Sequence, residues 1–157
     1  MSSAKKLERK LLIRYIVLDL FAGTGAYTAL HLVRKLYVEP ERFGTTIPLK
    51  FDQTFVLGAA ATTTLFIGIS ALSGIYSNLT RKSRLAEAFN TLGGTIITAV
   101  ILFFSVFLDD YIKEYSDYYM TLGTYTGSLI VLSGVFRFTQ SSIVRHKIDK
   151  GLLKFPT

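Results

Sequence analysis

The chain has 157 residues, half of them hydrophobic and 18% charged, with a formal net charge of +7 and no cysteine. That length holds one ordinary domain; the apolar content excludes an intrinsically disordered chain; the lack of cysteine excludes disulfides, thiolate metal sites and cysteine nucleophiles. The basic excess points to nucleic acid or to an acidic membrane surface, and the positions of the charges choose between them.

Residues 1–14 form a basic segment with Lys5, Lys6, Arg9, Lys10 and Arg14. It starts like a signal peptide, but the apolar stretch behind it is too long for a short h-region and predicts an uncleaved first span. That stretch, residues 15–33, carries the single charge Asp19. A helix needs about 20 apolar residues to cross a hydrocarbon core about 30 Å thick. Within it, Val17-Leu-Asp-Leu-Phe-Ala-Gly-Thr-Gly-Ala26 is similar to the first motif of Rossmann-type methyltransferases, and Glu39 stands about where a ribose-binding acid falls. Such a motif counts only between a strand and a helix, with parallel strands to follow. Long uncharged runs follow instead, which sets that reading aside. His31, one turn before Arg34, reads as a boundary residue.

The outer loop 36–53, with Pro40, Gly44 and Pro48, is irregular. Twenty-eight uncharged residues then separate Asp52 from Arg81 and predict a second span over 54–76. Arg81, Lys82 and Arg84 follow in a short basic loop. The 21 uncharged residues between Glu87 and Asp109 predict a third span over 88–108. The acids Asp109, Asp110, Glu114 and Asp117 are either a solvated helix end or a divalent-cation site; no other ligands converge with them, so no metal site is assigned. The 19 uncharged residues between Asp117 and Arg137 predict a fourth span over 118–138, with Arg137 at its end. Residues 139–157 form a second basic tail.

The expected fold is therefore an all-α integral membrane bundle of four transmembrane helices, 15–138, whose short later connections make neighbours antiparallel. Small residues mark expected contact faces: Ala22, Gly23, Ala26 and Ala29; Gly68, Ala71 and Gly74; Gly93 and Gly94; and above all Gly123 and Gly127. The two terminal segments, the loop at 81–84 and Arg137 at the end of the fourth span together hold 13 of the 18 basic residues, whereas the opposite side holds seven acids. By the positive-inside rule both termini are cytoplasmic. Tyr37, Tyr111, Tyr115, Tyr118 and Tyr119 sit at the outer boundary, Tyr15 and Tyr76 at the inner one, as amphipathic rings should. The positive charge then reads as sidedness and affinity for anionic headgroups, with no nucleic-acid partner.

A charge at membrane depth needs a partner or water. Asp19 and Arg137 stand at comparable depths in the first and last spans, so either they pair, or Asp19 lies at the headgroup boundary facing Arg14. Arg81, Lys82 and Arg84 read as a retention signal or as ligands for lipid phosphate, polyprenyl phosphate included. No catalytic constellation of serine, histidine and acid is visible.

One order of motifs is more specific. Gly74-Ile-Tyr76-Ser-Asn78, Arg81-Lys-Ser-Arg-Leu85, Glu87, Thr91, Ile101-Leu-Phe-Phe104, Leu108-Asp-Asp110, Tyr118-Tyr119, Arg137 and Ser141-Ser142 follow one another. Together they resemble the N-terminal transmembrane region of bacterial polyprenyl glycosylphosphotransferases, most of all the Bacteroidetes type, which also tends to place an Asp and an Arg where Asp19 and Arg34 stand. The resemblance covers nearly the whole chain. It implies a module of the inner-membrane enzymes that start exopolysaccharide or O-antigen units, moving a sugar 1-phosphate from a UDP-sugar to undecaprenyl phosphate. In that family the magnesium and an Asp–Glu pair belong to a later catalytic domain, after a Rossmann-like domain, and neither lies in this sequence. No catalytic residue is carried over, no cofactor is assigned to this chain, and it is expected to be inactive alone. A homo-oligomer or a polysaccharide-export partner is compatible with it. The alternative is a stand-alone four-span scaffold or interaction protein; a transporter or channel is disfavoured because no span is broken.

Overall fold

The computed structural model describes residues 3–40, 44, 48–76, 84–107 and 115–149. Among them there is no strand. The helices are α1 (Ser3–Val33), α2 (Gln53–Leu72), α3 (Arg84–Leu102) and α4 (Tyr115–Asp149).

In α1 no proline occurs before position 40, and Leu11, Tyr15, Asp19, Ala22, Ala26 and Leu30 repeat on one buried face. Helix α1 runs on through a π-helical turn, Arg34–Val38, closed by the Glu39 N–H donating to the Arg34 carbonyl. That turn brings Val38 inward, and Lys35 pairs with Glu39 at 2.7 Å. Helix α2 is capped by Asp52, whose carboxylate accepts the Phe55 N–H at 3.0 Å, satisfying one of the donors that a helix start leaves open. Helix α3 also ends in a π-helical turn, Phe103–Phe107. Helix α4 buries Thr121, Tyr125, Leu129, Ser133 and Arg137, every fourth residue.

Each helix packs on two others: α1 lies against α4 and α2, and α3 lies against the same two. Tyr15 meets Ser141, Tyr27 meets Phe55 and Phe103 meets Tyr118, so successive helices run antiparallel. The start of α1 and the end of α4 share one end of the bundle. Ala22, Ala26, Leu30, Phe66, Leu102, Tyr125 and Leu129 form the apolar centre.

The distribution of polarity is inverted relative to a water-soluble bundle. Inside lie Asp19, Arg137 and a column of hydroxyls, while Phe21, Val56, Leu57, Leu72, Phe104, Val131 and Phe138 are exposed. Thr62, Thr91, Thr98 and Ser133 return their hydroxyls to the carbonyl four residues back, which makes them tolerable in an apolar interior. Three helices are long and apolar enough to cross a membrane: Glu8–Val38, Gln53–Leu72 and Leu85–Ser105. Helix α4 is longer than any of them but less apolar, because residues 121–128 are mostly threonine, glycine, tyrosine and serine.

Of the glycines expected at contact faces, Gly23 is tightly packed, and Gly25 and Gly58 join it. A Cβ at Gly23 would stand 2.8 Å from the Thr63 side chain, one at Gly25 2.9 Å from Leu132, and one at Gly58 1.9 Å from the Tyr27 hydroxyl oxygen. At Gly68, Gly93, Gly123 and Gly127 nothing lies within 4 Å. The expectation that Gly123 and Gly127 face another helix is therefore not met within the chain. Both sit two residues out of step with the buried row of α4, which turns them about 200° away from the bundle. Overpacking a close contact costs about 1–3 kcal/mol, so Gly23→Leu is expected to lower thermal stability in detergent. Gly123→Ala and Gly127→Ala should stay within about 0.5 kcal/mol of the parent. Equal losses at all three positions would contradict this packing.

Candidate functional site: a buried polar centre

The elements converge on Asp19. Arg137 Nε donates to Asp19 Oδ1 at 3.2 Å, and Arg137 Nη2 donates to Oδ2. The Tyr76 hydroxyl also donates to Oδ2, at 2.6 Å. Arg137 Nη1 donates to the Thr91 hydroxyl oxygen at 3.2 Å, and that hydroxyl in turn donates a hydrogen bond to the Glu87 backbone carbonyl at 2.7 Å. Asp19 is fully buried and Arg137 is 3% exposed. The two-pronged guanidinium–carboxylate contact lets two buried charges coexist, since a lone buried charge is far costlier than a fully hydrogen-bonded pair. One helix face supplies each member: Asp19 from α1, Arg137 from α4 and Thr91 from α3.

Tyr76 comes from the turn that ends α2. Gly74 adopts φ +67, its N–H donates to the Ala71 carbonyl at 3.1 Å, and the Ile75 N–H donates to the Ser70 carbonyl at 3.1 Å. This is a Schellman motif, which needs a left-handed residue after the helix and so selects glycine. It turns the chain back so that Ile75 is buried and Tyr76 reaches α1.

A second tier adjoins the pair. The Ser141 hydroxyl donates to Glu87 Oε2 at 2.5 Å, and the Tyr15 hydroxyl lies 3.3 Å from Ser141 Oγ. Beside it, between α3 and α4, opens a groove of about 250 Å³ lined by Glu87, Ala88, Thr91, Leu92, Ile130, Gly134, Arg137, Phe138 and Ser141.

The centre ties α1, α3, α4 and the turn after α2 to one another. Both oxygens of Asp19 accept hydrogen bonds, and the guanidinium fork of Arg137 is divided between Asp19 and Thr91. Among the described residues no three His, Cys, Asp or Glu side chains gather to hold a metal ion.

Of the residues singled out in the sequence, Asp19 and Arg137 are brought together. Arg81 and Lys82 lie outside the described residues, as do Asp109, Asp110 and Glu114; Arg84 opens α3, its side chain outside them too. Asp117 lies in the first turn of α4. The methyltransferase-like stretch 17–26 is continuous helix and lacks the strand that motif requires, and Glu39 pairs with Lys35. His31 lies 3.2 Å from the Lys50 carbonyl through Nε2 and edge-on to Phe55, at the far end of the bundle. Glu87, Thr91 and Ser141 were visible in the sequence only as members of a motif series, and Tyr76 as such a member and as a boundary aromatic, with no contact assigned to any of them. The four-residue spacing of Glu87–Thr91 and of Arg137–Ser141 was the available signal, because each pair shares a helix face.

No family model, curated protein or solved structure matches the chain.

Proposed function

We propose that the chain is the four-span membrane module of a bacterial initiating sugar-phosphate transferase, set in the inner membrane with both ends cytoplasmic. Its work is to anchor and orient the catalytic part beside its polyprenyl-phosphate acceptor. The observation that carries this reading is a convergence. Of the residues that carry the motif resemblance from widely separated positions, Tyr76 and Arg137 bond Asp19, Thr91 bonds Arg137, and Glu87 and Ser141 form the tier beside them.

Such a centre suits an anchor. It fixes the cytoplasmic end of α4 against α1 and α3, and α4 continues past Arg137 to Asp149, so whatever follows leaves the membrane in a set direction. The inverted polarity of the bundle and the basic loop at Arg81, Lys82 and Arg84 fit a bilayer with anionic headgroups. One observation favours the scaffold alternative: Gly123, Gly127 and Gly134 face outward from α4 and leave room for a second helix.

The reading is tested at the gene and at the bench. The reading frame beyond the Thr157 codon is expected to run into a nucleotide-sugar transferase domain. The chain alone, in nanodiscs with a UDP-sugar and undecaprenyl phosphate, is expected to form no lipid-linked sugar. A stop codon followed by an unrelated gene would overturn the module in favour of the scaffold, and robust transfer by the chain alone would overturn the inactive anchor.

A further inference from the structure

The groove between α3 and α4 has walls and floor of different character. Ala88, Leu92, Gly134 and Phe138 are exposed and face outward, whereas Thr91 and Arg137 are buried and Glu87 and Ser141 half-buried at its polar end. The polar end lies beside the first turn of α3, which starts at Arg84. In a bundle set in a bilayer that is headgroup depth, with the apolar walls toward the acyl chains. Nothing lies within 4 Å of where a Cβ at Gly134 would stand, so the groove is open there.

The charges decide what fits. Arg137 and Asp19 cancel each other through their two-pronged contact, and among the described residues no other lysine or arginine lines the groove. Among the described lining residues that leaves the Glu87 carboxylate, with the Ser141 hydroxyl on one of its oxygens, as the charge outside an ion pair. A phosphate placed there is repelled by Glu87 and finds Arg137 engaged. An ammonium is attracted, and its N–H groups are strong donors to a carboxylate. The volume equals about eight waters at about 30 Å³ each, room for a small headgroup.

We propose that this groove binds the headgroup of a phospholipid carrying a primary ammonium, with Glu87 as its acceptor. The inference rests on the membrane setting of the bundle and is independent of any transferase role. The N–H···O bonds that a primary ammonium makes to a carboxylate and a quaternary one cannot make contribute about 1 kcal/mol, or about a fivefold preference.

The test is native mass spectrometry of the full chain in detergent, titrated separately with phosphatidylethanolamine, phosphatidylcholine, phosphatidylglycerol and undecaprenyl phosphate. Phosphatidylethanolamine is expected to be retained about fivefold better than the quaternary phosphatidylcholine and better than both anionic lipids. Glu87→Gln should abolish that preference, and Gly134→Leu, which fills the groove from an outward position, should abolish it independently. Equal retention of the four lipids, preference for an anionic lipid, or a preference that survives in either folded variant would overturn the proposal. If Glu87→Gln does not fold, Gly134→Leu alone decides.

Discussion

Asp19→Asn is expected to lower the stability of the bundle by about 3–5 kcal/mol, the usual cost of leaving a buried charge without its partner. The substitution keeps the shape of the side chain and one acceptor oxygen, but it removes the carboxylate charge and sets an NH2 donor against the Arg137 guanidinium, which is 3% exposed. Arg137→Gln should cost a similar amount, because Asp19 then keeps only the Tyr76 hydroxyl. The double variant Asp19→Asn with Arg137→Gln should recover much of the loss, since two neutral amides can bond to each other and no buried charge remains. Unfolding of the purified chain in mixed micelles measures all three against the parent. A cycle in which the two single losses simply add, or in which each single change stays within about 0.5 kcal/mol, would remove the pair from its structural role.

The second large effect is expected at Tyr76. Its hydroxyl donates to Asp19 Oδ2 at 2.6 Å, a bond to an ionised acceptor, and such bonds contribute about 1.5–3 kcal/mol. Tyr76→Phe should cost that much while leaving the ring in place. Gly74→Ala should cost about 1–2 kcal/mol from the left-handed backbone alone. Because the Gly74 turn delivers Tyr76 to Asp19, the two changes should not add: the double variant is expected to lose less than the sum. Full additivity, or a neutral Tyr76→Phe, would show that the turn and the hydroxyl act separately.

The degree to which this molecule was legible depends on the kind of signal. Gaps between charges located the first three helices, because only long uncharged runs can form apolar spans. They misjudged the ends: α1 begins at Ser3 and continues to Val38 through its π-helical turn, beyond the 15–33 expected. Charge absence says where a span is possible, not where a helix stops. Asp19 and Arg137 were legible as one of two alternatives, since each is the isolated ionic residue of an apolar stretch. Tyr76 was not, because its place depends on a turn at Gly74 rather than on helical spacing. Gly123 and Gly127 meet no helix of this chain, because a four-residue spacing gives a stripe without saying which way it points. The phase was available in Arg137: counting back in fours gives Ser133, Leu129, Tyr125 and Thr121, the row that is buried.

The proposed topology is open to one direct measurement, aided by the absence of cysteine from the chain. Single variants Lys10→Cys, Leu49→Cys and Ile143→Cys place a thiol at exposed positions near the start of α1, before α2 and near the end of α4. A membrane-impermeant maleimide is applied to right-side-out and to inverted membrane vesicles. Four spans with both ends cytoplasmic predict labelling of positions 10 and 143 only in inverted vesicles and of position 49 only in right-side-out vesicles. Labelling of positions 10 and 143 from opposite faces would mean an odd number of crossings and would contradict four spans. Labelling of all three from the same face would contradict the membrane-spanning bundle altogether.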